Sequence, residues 1–161
     1  MSRPATYSRL QIGLHWAIAL LIAGAWFTHE QMEREPGRSE PDGLMIGPMP
    51  LHVALGLAVF ALLLVRIVHR AMRGVPEPVA GTPPLARRAA EWGHRLLYAL
   101  MLAAPLAGMA RAFGGIEPAG ELHEMLATAL VLVALAHAAV AVFHQAVLRD
   151  GTLSRMTRGR A

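Results

Sequence analysis

Residues 122–148 read LHEMLATALVLVALAHAAVAVFHQAVL. From Met125 to Leu148 the stretch contains no Asp, Glu, Lys or Arg, and it exceeds the roughly 20 apolar residues with which a helix crosses a bilayer. It nevertheless carries His123 and His137. An imidazole is costly in a lipid-facing helix, so an intramembrane histidine marks a functional site whose partner must be found. Fourteen residues of helix separate the two by about 21 Å along the axis and leave them some 40° apart around it. They share one face at two depths.

Three further runs lack charge: Leu10–His29, Gly43–Val65 and Leu96–Ala110. The first two are long enough to span outright. The third is shorter and contains Pro105. It spans if Gly93–His94 and Phe113 lie at headgroup depth, with Arg95 and Arg111 snorkelling. The expected spans are about 10–29, 48–69, 92–112 and 122–148, in one domain over 1–161. Composition agrees: 55% of the 161 residues are hydrophobic and 16% charged, with mean hydropathy +0.41, where soluble proteins carry about 25% charged residues. The predicted fold class is all-α, an integral membrane four-helix bundle.

All fifteen basic residues are arginine, and twelve lie before the first run, between Arg66 and Arg95, or after Leu148. The 30–50 and 111–124 segments hold the other three and eight of the eleven acids. By the positive-inside rule both termini and the 66–95 connection face the cytoplasm, N-in/C-in. This placement reads the net charge of +4 as a membrane pattern and not as a nucleic-acid surface. Met1–Arg9 runs directly into a span longer than a signal-peptide core, with no small-residue cleavage site, so the first helix is expected to stay. The absence of cysteine excludes disulfides, thiolate-held metals and thiol nucleophiles, leaving histidine as the main metal donor.

On this orientation His123 lies near the outer surface and His137 deeper toward the cytoplasmic half. His52 opens the second span from outside, and His15 lies early in the first from inside. Two histidine pairs result, His52 with His123 and His15 with His137. Inward-facing imidazole pairs are what six-coordinate haem iron needs, because the porphyrin fills four positions and two imidazoles the axial ones. The inner pairing has a rival in His144, on nearly the same face seven residues beyond His137. By depth His15 falls between the two, and His144 would place the irons further apart by more than a helix turn. The competing reading of all four is interhelical hydrogen bonding.

His94, between Trp92 and Arg95, reads either as an interfacial anchor or as a residue beside a haem or quinone. His29, His69 and His144 read as interfacial or loop residues. Arg66 and Arg70 share a helix face and suit the propionates of an inner haem by charge-assisted hydrogen bonds, or serve only as positive-inside charges. Gly56, four residues after His52, and Gly13, two before His15, are places where a macrocycle or neighbouring helix can approach. The methionines are scattered as apolar filler.

From Tyr7 to Met156 the chain resembles the bacterial cytochrome b561 family of four-helix, di-haem b membrane proteins. The likeness is carried by Tyr7-Ser8-Arg9-Leu10-Gln11-Ile12 leading to Leu14-His15-Trp16, and by Leu51-His52-Val53 with Gly56 and Arg66. It continues in Gly93-His94 with Leu97-Tyr98, in Pro105-Leu106-Ala107-Gly108, in Leu122-His123-Glu124, in His137, and in Arg149-Asp150-Gly151-Thr152-Leu153-Ser154-Arg155-Met156. The chain departs from the family in having Leu122 where members often place an aromatic residue, and in a short 111–121 connection.

The resemblance implies two haem b groups, held by His52 with His123 and by His15 with His137, and so favours His137 over His144. It implies a multi-pass protein of the bacterial inner membrane, with quinone or quinol as one redox partner. The other partner is then superoxide at the outer face, a soluble carrier, or a dehydrogenase- or hydrogenase-type subunit for which this chain is the membrane cytochrome. A superoxide funnel needs outer cations, and the outer segments offer Arg34, Arg38 and Arg111 among eight acids. Two readings from other classes are a histidine-based proton or metal transporter, which would more often show intramembrane carboxylates, and a non-catalytic assembly protein, for which the fourteen-residue histidine spacing is coincidence.

Overall fold

The computed structural model describes residues 6–33, 49–79 and 81–158. Four long helices account for most of them: α1 (Arg9–Glu33), α2 (Leu51–Arg73), α3 (Pro84–Gly114) and α4 (Pro118–Phe143). One π turn, His144–Leu148, and a short α5, Thr152–Thr157, follow. No strand occurs among the described residues. Arg34, Arg38 and most of the expected outer connection at 33–50 lie outside them.

Helix boundaries follow local chemistry. Ser8 and Gln11 form a capping box at the start of α1: the Ser8 N–H donates to Gln11 Oε1 at 2.9 Å and the Gln11 N–H to Ser8 Oγ at 3.2 Å, which satisfies two otherwise orphaned amides. Extended Pro50 precedes α2, and proline occupies the first turn of both α3 and α4, where its missing N–H costs nothing. Gly74 (φ 70°) ends α2 and left-handed Gly115 ends α3. The third helix therefore starts eight residues before the span expected at 92, because Leu85–Glu91 has good helix propensity and its charges need only lie outside the hydrocarbon.

All four long helices are long and apolar enough to cross a membrane, and in none does the buried share of the span exceed 17%. Leu20, Phe27, Leu132 and Leu135 are exposed. Apolar surface on this scale requires lipid, and the molecule is a membrane four-helix bundle. Trp92, with the Arg95 guanidinium 4.9 Å from its ring centre, is also exposed, as suits the membrane–water interface.

The bundle consists of two helical hairpins. α1 packs chiefly on α2 and α3 on α4, α2 touches α3, and the remaining pairings of the long helices are slight. A compact apolar core of Ile18, Val59, Leu63, Leu97, Leu100, Met101 and Leu130 joins the hairpins at mid-height, with Leu63 wholly buried.

The start of α1 and the α5 segment meet at one end of the bundle. Trp16 Nε1 donates to Met156 O at 2.8 Å, and the Arg155 guanidinium lies 5.9 Å from the Tyr7 ring centre. The turn that returns α5 is closed by Asp150, which accepts from His144 Nδ1 at 2.5 Å and from the Thr152 N–H at 2.9 Å. Burial alone would raise the Asp150 carboxyl, but these hydrogen bonds outweigh it and hold the group at about 2, against 3.8 when free. A depressed carboxylate stabilises the fold fully above its unfolded value, and loses that contribution as pH falls through the folded one. In a Trp26→Phe, Trp92→Phe background, Trp16 emission should hold constant down to pH 3.8 and shift as pH falls from there toward 2. Asp150→Asn should give the shifted emission already at neutral pH.

Candidate functional site

The histidines singled out in the sequence meet across the seam between the hairpins. His52 on α2 and His123 on α4 have ring centres 5.8 Å apart at 82°. His52 Nδ1 lies 2.9 Å from Ala25 O on α1, and His123 Nδ1 lies 2.8 Å from Ala104 O on α3. A carbonyl oxygen can only accept, so each Nδ1 carries the ring proton and each Nε2 keeps a free lone pair. This anchoring fixes both tautomer and ring plane in a metal-binding histidine.

Local sequence builds the two carbonyl anchors. Thr28 Oγ1 bonds back to Gly24 O at 2.9 Å and Ala25 O at 3.2 Å, an interaction that loosens and bends a helix. In α3, Pro105 withholds the N–H that Met101 O would accept, and Gly108 supplies space beside the Ala104 carbonyl. A Cβ on Gly108 would stand 3.0 Å from His123 Nδ1 and 3.1 Å from its Cε1, so any side chain there presses on the ring where it reaches Ala104. The expectation for Gly13 and Gly56 fares differently: a Cβ on either meets no atom within 4 Å, so neither serves close helix packing. Gly56 leaves open space on the stripe that carries His52. Gly13, two residues from His15, points to the other side of its helix.

At the other level three imidazoles gather. His15 on α1 and His137 on α4 have ring centres 6.3 Å apart at 70°, and His94 on α3 stands 5.1 Å from His137 at 73°. Beside them Arg66 Nε donates to the Tyr98 hydroxyl at 2.9 Å and Arg66 Nη1 to Gln11 O at 3.3 Å. The Arg70 guanidinium lies 5.7 Å from the Tyr98 ring centre. Arg66, Arg70, Tyr98, Gln11, Tyr7 and His69 line one cleft. His69, expected to be merely interfacial, has a buried Nδ1 with no hydrogen-bond partner among the described residues. Buried Gln11 also reaches Gly74 O at 2.9 Å. The Ser-x-x-Gln capping pattern was the one signal in the sequence that could have exposed Gln11. His144 turns to Asp150 instead of toward His15. The outer Arg111 has its side chain close to Gly120 at the start of α4.

These donors fit a haem. A metal–imidazole bond of about 2 Å, added to the ring's half-width on each side, puts two ring centres roughly 6 Å apart across one ion. The observed 5.8 and 6.3 Å match that spacing. Among the described residues no three His, Asp or Glu side chains are grouped to hold a bare ion, whereas a porphyrin needs only two protein donors. A family model for prokaryotic cytochrome b561 matches residues 6–159. The chain belongs to the prokaryotic cytochrome b561 family. It is 44% identical to cytochrome b562 of Cereibacter sphaeroides, over 99% of this chain and 100% of that one. It is 33% identical to the probable superoxide oxidase CybB of Yersinia pestis (93% and 94% covered), and 26% identical to cytochrome b561 homolog 2 of Escherichia coli (95% and 92%).

In this membrane cytochrome b the Gly108 contact is a direct handle on the orientation of His123. Gly108→Val forces the His123 ring from its anchor, an overpacking cost of about 1–3 kcal/mol, equivalent to roughly tenfold weaker haem binding at 1.4 kcal/mol. A pyridine haemochrome assay should show lowered haem content with helix content by circular dichroism unchanged. Gly13→Ala, where the added methyl meets open space, should match the native protein.

Proposed function

We propose that this cytochrome is a di-haem b electron relay of the bacterial inner membrane, N-in/C-in, between the quinone pool and a partner at the outer surface. The observation that carries the reading is the pair of imidazole pairs, stacked at two depths and facing across one seam. His52 with His123 would hold the outer haem b and His15 with His137 the inner one. Bound haem supplies one-electron redox chemistry at its iron.

The polypeptide's own part is to hold and insulate. Ala25 and Ala104 lock the outer imidazoles as Nδ1–H tautomers. Val59 and Leu130, each seven residues from an outer histidine, belong to the apolar core between the levels, which keeps water from joining them. Leu130 is also seven residues before His137. Arg66 keeps guanidinium donors beyond those given to Tyr98 and Gln11, and with Arg70 it would hold the carboxylates of the inner group. The unpartnered His69 Nδ1 opens on the same cleft and offers a further polar contact there.

Superoxide is the outer partner suggested by the name of the Yersinia relative. Oxidation of two superoxide anions releases two dioxygen molecules, and the two electrons with two protons convert one quinone to quinol. A soluble carrier or a docked dehydrogenase subunit would use the same relay in either direction.

Detergent-purified protein should contain two b haems per chain by pyridine haemochrome. His52→Ala or His123→Ala should remove one of them, and His15→Ala or His137→Ala the other, distinguishable by reduced-minus-oxidised spectra. A single variant in these positions that retains both haems overturns the assignment. Reduction of the native protein by a superoxide source, abolished by superoxide dismutase and followed by quinol formation, tests the partner.

A further inference from the structure

The two levels fix their imidazoles by different means. At the outer level both rings are held by hydrogen bonds to backbone carbonyls of a neighbouring helix. At the inner level neither His15 nor His137 has such a bond among the described residues; each instead takes an aromatic ring edge to face. Trp16 stands 5.4 Å from His15 at 77°, and His94 stands 5.1 Å from His137 at 73°. Both contacts have the T-shaped geometry preferred by aromatic pairs. Each supporting ring is itself tied to a carbonyl: Trp16 Nε1 to Met156 O at 2.8 Å, and His94 Nδ1 to Ala90 O at 2.6 Å.

The distances separate support from ligation. The His94–His137 separation of 5.1 Å is shorter than the roughly 6 Å that two imidazoles need across one ion, and both residues belong to the α3–α4 hairpin. His15 approaches His137 from the other hairpin at 6.3 Å. His94 therefore bears on the side of His137 and leaves the position opposite it to His15.

We infer that His94 and Trp16 are positioning residues that set the ring planes of His137 and His15, and that the α5 carbonyl at Met156, through Trp16, makes the C-terminal segment part of the inner site. The inference rests on the di-haem reading above. It gives His94 a role distinct from both an interfacial anchor and an axial ligand. It also explains why a six-residue helix beyond the last span is folded back against α1.

The test is low-spin ferric electron paramagnetic resonance on full-length protein, because that signal depends on the angle between the two axial imidazole planes. Optical redox titration of each haem accompanies it. His94→Ala and Trp16→Ala should each retain both haems, shift the inner low-spin signal and midpoint potential, and leave the outer ones unchanged. His94→Phe, which keeps a ring edge in place, should restore much of the native inner signal, whereas Trp16→Phe keeps the ring but loses the bond to Met156 O and should shift the signal as Asp150→Asn does. Asp150→Asn should move the inner signal in the same direction as Trp16→Ala. An unchanged inner signal in both alanine variants overturns the inference, as does an equal shift at both haems, or loss of the inner haem from His94→Ala. A native protein with fewer than two haems would instead overturn the reading on which the inference rests.

Discussion

Inside a bilayer a polar backbone group has only the protein itself to turn to, and this requirement shapes both the bundle and its site. It makes the spanning segments helical. It also makes any carbonyl exposed by a local disturbance available to a side chain. Thr28 shares the Ala25 carbonyl with His52, and Gly108 leaves the Ala104 carbonyl within reach of His123. Those two carbonyls receive the Nδ1 protons of His52 and His123. Backbone acceptors on neighbouring helices thereby orient a pair of imidazoles, and Gly108 provides the space in which one of them turns.

The sequence revealed the features that depend on composition and period. Four uncharged runs announced four helices, and the interval from His123 to His137 announced one face at two depths. His52 follows from depth as the opposite of His123, whereas by depth His15 lies between His137 and His144 and only the contacts set it beside His137. What stayed hidden depends on contacts between distant segments. Gly108 is one small residue among many in a membrane helix, and only the ring of His123, fifteen positions on, gives it meaning. Gln11 looks like an incidental polar residue until Ser8, Gly74 and Arg66 are seen around it. The start of α3 at Pro84 is not visible in the absence of charge, because helix formation outside the hydrocarbon follows propensity and the proline at its first turn.

Charge tallies also mislead about individual residues. Arg66 and Arg70 count toward a cytoplasmic excess, which says only where the end of α2 lies. The contacts say more: Arg66 binds α1 and α3 together through Gln11 O and Tyr98, so its charge stands at a fixed point beside the inner imidazoles. An arginine held by two neutral acceptors keeps its full charge and its remaining donors for an anion. The same residue thus joins three helices and fixes a charge at one point in the bundle.

The connectivity of the outer anchors implies an order of construction. His52 is fixed by Ala25 within the α1–α2 hairpin, and His123 by Ala104 within the α3–α4 hairpin. Each hairpin therefore carries an oriented half-site before it meets the other, as expected where helices insert first and associate afterwards. The seam between them has few contacts apart from the mid-height core and the α2–α3 packing. A flat cofactor held between the half-sites would add contacts between the hairpins. Its binding energy then counts toward assembly, as metal binding does in small metalloproteins. On this view His15 and His137 would link α1 to α4, which otherwise pack slightly, and the Trp16 bond to Met156 O would form after the last span has inserted.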